Sequence, residues 1–560
     1  MPTKKSAEFI LYGFLMIATL VNLVQTGITE LLFDEAYYWY FSENLSWGYF
    51  DHPPMTAFMV WLGRLFSEAE TGIRLLAPFL YSATVFLIWK LFDDERKYKY
   101  IWLFVFFISS QALLAAYGFF MVPDTPLLFF AALFLYGYKR FLQTEDRIAV
   151  ICLAIAMAGV MYSKYHGVLL IGLVILSNLK ILGKSKFWAA IALSLALYLP
   201  HLWWLIENDF APVRYHLIER ANNRYKVEYT LHYLLNCIAI GGLSFPLVYW
   251  AFFKKPGKEA FDRALRFLGY GVFVFFLISS FSRRTQAQWV NLLYFPLIYF
   301  GFRYAYDHLR YRKWLWRTSL AAVIILFYVR LAIAFPSLSF FPFETHHNKE
   351  WTGELKAQAG ELPVIFHNSY RDASMYGYYA QAEAVSFNDM HFRKNQYDLD
   401  SSEFALQGRE VVLLSRRVSL DSMIGVKRDF RNAIWKGPVI TNFKSHKKIQ
   451  FVTESKEAEG SNGSLPESFE AVVSNPYDRS VNLSDLNIQL VALNQYQTPI
   501  RSIPVSPEGD GILNPGESKA FTLLPKGSTV PEETAFLRFG IAELGFPAGF
   551  QGNLIKYTVR

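Results

Sequence analysis

FILYGFLMIATLVNLV (residues 9–24), followed after a short link by FDEAYYWYFSENLSWGYFDHPP (residues 33–54), decides how the rest of the chain is read. The first string is apolar almost throughout and approaches the roughly 20 residues that a hydrocarbon core needs per helix. The second crowds carboxylates, aromatic rings and a proline pair directly beyond it. Together they read as a helix entering a bilayer and an aromatic loop lying in the interface. Lys4 and Lys5 precede the apolar run as in a signal peptide. No small-x-small cleavage site follows, so the run is expected to stay as an anchor.

The same alternation continues to about Phe335. Hydrophobic residues make up 53% of the 560 positions and charged residues 18%, below the roughly 25% charged of a soluble domain. The apolar runs predict eleven spans: 9–26, 73–92, 100–118, 125–142, 148–162, 166–182, 187–206, 231–253, 265–281, 289–303 and 316–335. Alternate connections carry the cations, among them Arg96, Lys97 and Lys99, then Lys139 and Arg140, then Lys180, Lys184 and Lys186, and later Arg310, Arg312 and Lys313. That bias places these loops and the N-terminus in the cytoplasm. An odd span count then exports the tail. The net charge of +8 is mostly this topology signal, so nucleic acid is not an expected partner. Cys152 and Cys237 both lie inside apolar runs and form neither a disulfide framework nor a thiolate metal site.

Three regions follow: a membrane domain over 1–340 with a first outer loop at 27–72, an exported α/β region over 341–450, and an exported β-rich region over 451–560. Leu362–Phe366 and Val411–Ser415 read as short buried strands, with a helix around Arg371–Ala382. Beyond residue 467, short alternating strands separated by turns such as Asn514-Pro515-Gly516 predict a small β-sandwich. Asp510, in Glu-Gly-Asp-Gly, reads as a turn residue rather than a calcium ligand.

The expected outer loops hold the residues that carry chemistry. Asp34 and Glu35 follow the first span, where charge is costly and a carboxylate can act as a general base. Capping of the next helix is the plainer explanation for both. Asp51-His52-Pro53-Pro54 presents an acid and an imidazole at a helix start, a place that attracts anions. Asp124 occupies a very short outer connection and can equally be a cap. Lys164, Arg214, Arg220, Arg224, Arg283 and Arg284 supply cations, which singly serve well as headgroup anchors. What favours function is co-location. Carboxylates and cations on one face suit group transfer from a lipid phosphate.

Residues 33–62, with the later Pro-Asp-Thr-Pro-Leu-Leu-Phe-Phe (123–130), Tyr-Ser-Lys-Tyr-His-Gly (162–167) and Gln-Ala-Gln-Trp (286–289) segments, resemble the C-type membrane glycosyltransferases. The nearest branch is the aminoarabinose transferase and dolichyl-phosphate-mannose-protein mannosyltransferase group, and the likeness covers about residues 5–340. It implies a GT-C fold, a polyprenyl-phosphate sugar donor, reaction on the exported face of the inner membrane, and inversion. The acceptor is left among a lipid, a protein and a surface glycan. By that resemblance Asp34, with Glu35 beside it, is the principal acid–base position and Asp124 the second acidic site. Asp51, His52, Lys164, Arg220, Arg224 and Arg283 are expected to serve the donor's phosphate and sugar. No cofactor is implied, and a divalent cation stays open. The competing class is a transporter or flippase of lipid-linked sugars, which favours polar residues and broken helices near mid-membrane.

Overall fold

A computed structural model describes residues 2–219, 224–254, 259–416, 424–460 and 463–559. By its contacts the chain divides into two units: Met1–Tyr215 with Arg224–His347, and His216–Asn223 with Asn348–Arg560.

The first unit is helical. Each apolar stretch folds as one helix or as two or three helical pieces. Among the described residues, Lys4–Ile28, Glu70–Lys90, Ser185–Glu207, Val227–Lys254 and Leu309–Ala334 are long and apolar enough to cross a bilayer alone. Apolar side chains point both ways: Phe104, Leu127, Phe134 and Phe300 are buried, whereas Phe9, Trp188 and Trp203 are exposed. This is the pattern of helices that face lipid outside and one another inside. With little hydrophobic contrast between lipid and protein, close approach depends on small residues. A Cβ on Gly159 of the helix Arg147–Ser163 would stand 2.3 Å from the Phe130 ring of Asp124–Thr144. The glycine is what lets these two helices pack.

Several expected spans are interrupted, two of them notably. The stretch 100–118 divides into Ile101–Ser109 and Ala112–Ala116, and 231–253 is broken by a 3-10 turn at Gly242–Ser244, where Gly242 takes a φ of +54°. Backbone groups freed inside a bilayer must find protein partners. At the first break they do: Leu113 N–H donates to the Tyr294 hydroxyl at 3.1 Å, and the Gln111 side chain donates to the Phe107 carbonyl at 2.8 Å. The first outer loop makes two short helices, Phe33–Glu43 and Met55–Arg64.

The second unit begins with a four-stranded sheet in the order Ala384–Phe387, Val364–His367, Val411–Leu414, Val439–Ile440. The first three strands run parallel and the last antiparallel. The helix Tyr370–Ala380 links the first two in sequence. An eight-stranded sheet follows. Its strand Pro499–Pro507 pairs with Ile488–Asn494 over its first part and with Ser518–Pro525 over its last. The sheet thereby folds over one shared core, which includes Val473, Leu490, Leu523 and Phe539. Asp510 accepts the Ile512 N–H at 3.3 Å, closing a turn.

Candidate functional site

Asp124 opens the helix Asp124–Thr144 and is 3% exposed. Its two oxygens accept from the Lys164 ammonium at 2.8 and 2.9 Å, and Oδ1 also accepts from the Asn291 amide at 2.7 Å. Lys164 comes from the turn after the helix Arg147–Ser163, and Asn291 from the 3-10 segment Ala287–Leu293. Three segments far apart in sequence therefore meet on one carboxylate.

The first outer loop joins the same neighbourhood. Asp51 is 2% exposed and pairs with His52 Nδ1 at 2.9 Å, while His52 keeps 22% of its side chain exposed. His201, buried in the helix Ser185–Glu207, reaches the Trp47 carbonyl of the first loop through Nδ1 at 2.5 Å. A carbonyl only accepts, so Nδ1 carries the proton and Nε2 accepts the Tyr165 hydroxyl at 3.2 Å.

Asp34 and Glu35 lie in the first turn of the helix Phe33–Glu43, where carboxylates complement the helix dipole. Asp34 is partly buried and Glu35 fully buried. Glu35 has partners on both of its oxygens. Arg74 Nε donates to Oε1 at 2.8 Å and Nη2 to Oε2 at 2.5 Å, while the Leu32 and Met121 N–H groups add one bond to each oxygen. Both members of the pair are 0% exposed. Removing either would strand a buried charge, at a cost of roughly 3–5 kcal/mol.

Arg283 is partly buried just past the helix Ala260–Ser279, and Arg224 is exposed. Arg220 lies outside the described residues. Among the described residues no group of three or more His, Cys, Asp or Glu side chains is placed to hold a metal ion. The sequence reading missed Arg74, His201 and Asn291. Each is a polar residue inside an expected span, which is itself a signal in lipid.

The fold is that of the C-type membrane glycosyltransferases, and the chain is a multi-pass membrane protein built on it. It is shared with the crystal structure of ArnT from Cupriavidus metallidurans in the apo state, at a TM-score of 0.54 and 14% identity over 77% of this chain and 98% of that one. The same protein bound to undecaprenyl phosphate aligns at a TM-score of 0.53 and 14% identity, covering 76% of this chain and 97% of that one. In sequence, residues 51–204 match the family model described as dolichyl-phosphate-mannose-protein mannosyltransferase. The chain is also similar to two proteins of Rhizobium johnstonii. The lipid A galacturonosyltransferase RgtD is 24% identical over 52% of this chain and 63% of its own length. The lipopolysaccharide core galacturonosyltransferase RgtA is 26% identical over 37% of this chain and 43% of its own. The chain thus spans less than two thirds of either relative.

Proposed function

We propose that this protein transfers a sugar from a polyprenyl-phosphate donor to an acceptor on the periplasmic side of the inner membrane, with inversion at the anomeric carbon. The observation that carries the reading is the Asp124–Lys164–Asn291 cluster, tied to the first outer loop through Trp47 and Glu35. In this reading the N-terminus is cytoplasmic, residues 1–340 form the transferase, and 341–450 and 451–560 are exported. The undecaprenyl phosphate held by ArnT supports the donor class, and the lipid A in the name of RgtD supports a lipid acceptor over a protein or a glycan.

The acceptor oxygen attacks the anomeric carbon as the bond to the phosphate oxygen breaks, and the polyprenyl phosphate leaves with the electron pair. That leaving group is already an anion, so cations suffice to stabilise it as charge develops. Lys164 and His52 take that role, with Arg220, Arg224 and Arg283 as further donors for the phosphate and sugar. Asp34 takes the acceptor's proton. Asp124 orients Lys164, and Asp51 orients His52. One base and one displacement differ from the paired carboxylates of a retaining hydrolase.

The broken helices at Ser110–Gln111 and Gly242–Ser244 are the feature that favours a transporter. Neither break holds an ionisable side chain, whereas Asp124 and Lys164 stand at helix ends. The test is transfer from a labelled polyprenyl-phosphate sugar by the purified protein and its Asp34→Asn variant. Loss of a general base costs about 10²–10⁴-fold in rate, with elution and helicity unchanged. Full activity in Asp34→Asn overturns the assignment.

A further inference from the structure

Arg74 is a residue to which the transfer chemistry gives no direct part, yet it is among the largest fully buried side chains. Its guanidinium is saturated. Nε and Nη2 hold Glu35, Nη1 donates to the Thr26 and Thr29 carbonyls at 3.1 and 2.5 Å, and Nη2 also donates to the Glu30 carbonyl at 2.9 Å. The Phe120 ring lies over it at 5.1 Å. Glu35 in turn accepts the N–H groups of Leu32 and Met121 at 3.0 and 2.8 Å.

These contacts join three pieces of chain. Thr26 to Glu30 is the end of the first long helix and its exit. Leu32 to Glu35 starts the helix whose first turn carries Asp34. Phe120 and Met121 lie just before Asp124. A planar guanidinium with five donors and a carboxylate with two acceptor oxygens can fix all three at once, which an ammonium cannot.

We infer that Arg74 and Glu35 act as one positioning unit that sets Asp34 against Asp124. Neither touches substrate. The pair holds the first outer loop to the 120–124 segment, so that base and cation site keep one separation. The claim deepens the transferase reading and rests on it for its catalytic consequence, but the physical link is measurable without turnover.

The experiment uses full-length purified Glu35→Gln and Arg74→Lys. Glu35→Gln keeps shape and loses the charge, and Arg74→Lys keeps the charge and loses the fork. Amide hydrogen exchange is followed in peptides spanning 28–37 and 117–125. Both should exchange about tenfold faster in either variant, as expected when charge-assisted hydrogen bonds are lost, while peptides within 147–163 stay as in the wild type. In the transfer assay kcat should fall about 100-fold, with the KM for the donor within about threefold, the signature of misplacement rather than lost binding. The double variant should be no worse than the poorer single. Unchanged exchange at 117–125 in Glu35→Gln overturns the link, whatever the transfer assay gives. Faster exchange with kcat retained overturns the positioning role and leaves the transferase reading standing. Glu35→Gln by itself reads both points.

Discussion

Asp124 in the helical unit and Asp389 in the C-terminal unit have closely similar company. Asp124 is held by a lysine and an asparagine amide. Asp389 is held by His367 Nε2 at 2.8 Å, the Asn368 amide at 3.0 Å and the His391 N–H at 2.7 Å. His367 Nδ1 also lies 3.2 Å from Ser415 Oγ. By residue type, the serine, histidine and aspartate look more like an active site than anything among the helices. They even follow parallel strands at their C-terminal ends, where α/β folds place ligands. The surroundings decide otherwise. The His367 ring is covered by Phe546, stacked at 3.7 Å and 4°, and His367 and Asp389 are each only 2% exposed. The Asp124 site keeps 13% of the Lys164 side chain exposed and draws in groups from the first loop and two further helices. Residue types nominate a site, but access and convergence qualify it.

The sharpest break between the two clusters is expected from Asp124→Asn. It should lower transfer by about 10²–10³-fold, measured as kcat on labelled donor, with the protein still folded. Ser415→Ala should leave transfer within about twofold. It should cost the C-terminal unit about 1–3 kcal/mol for the buried hydrogen bond, read by thermal melting. The smallest effect is in pH. Burial pushes the Asp389 carboxyl up, but hydrogen bonds from His367, His391 and Asn368 together with the His367 charge outweigh it and hold the group below its ordinary value. A depressed acid stabilises the fold above its unfolded pKa, about 4, and the contribution is lost as pH falls through the folded value. Melting of the C-terminal unit should therefore weaken below about pH 4, and Asp389→Asn should flatten that dependence.

The helices were legible because apolar runs of bilayer length leave few alternatives. Their interruptions were not. The break at Gln111 is served by Tyr294, which takes the Leu113 N–H from far away in sequence, and the break at Gly242 turns on a positive φ. In the tail, Phe469–Ser474 and Thr534–Ile541 were readable from their apolar, strand-length composition. Pro499–Pro507 was not, since three prolines argue against a strand. It survives by exchanging partners midway. At the site, the sequence nominated Asp34, Asp51, His52, Asp124 and Lys164 through their place between spans. It did not show that Arg74 bonds both oxygens of Glu35, a contact made only by packing.

The account stands or falls on whether the outer cluster breaks the bond between sugar and polyprenyl phosphate. Proteoliposomes containing the wild type or Asp34→Asn, loaded with a donor labelled in the sugar and supplied with lipid acceptor, report this directly. The account predicts that the label leaves the polyprenyl lipid for the acceptor with the wild type and stays on it with Asp34→Asn. Label that crosses the bilayer still attached to its polyprenyl phosphate, equally with both proteins, would contradict it.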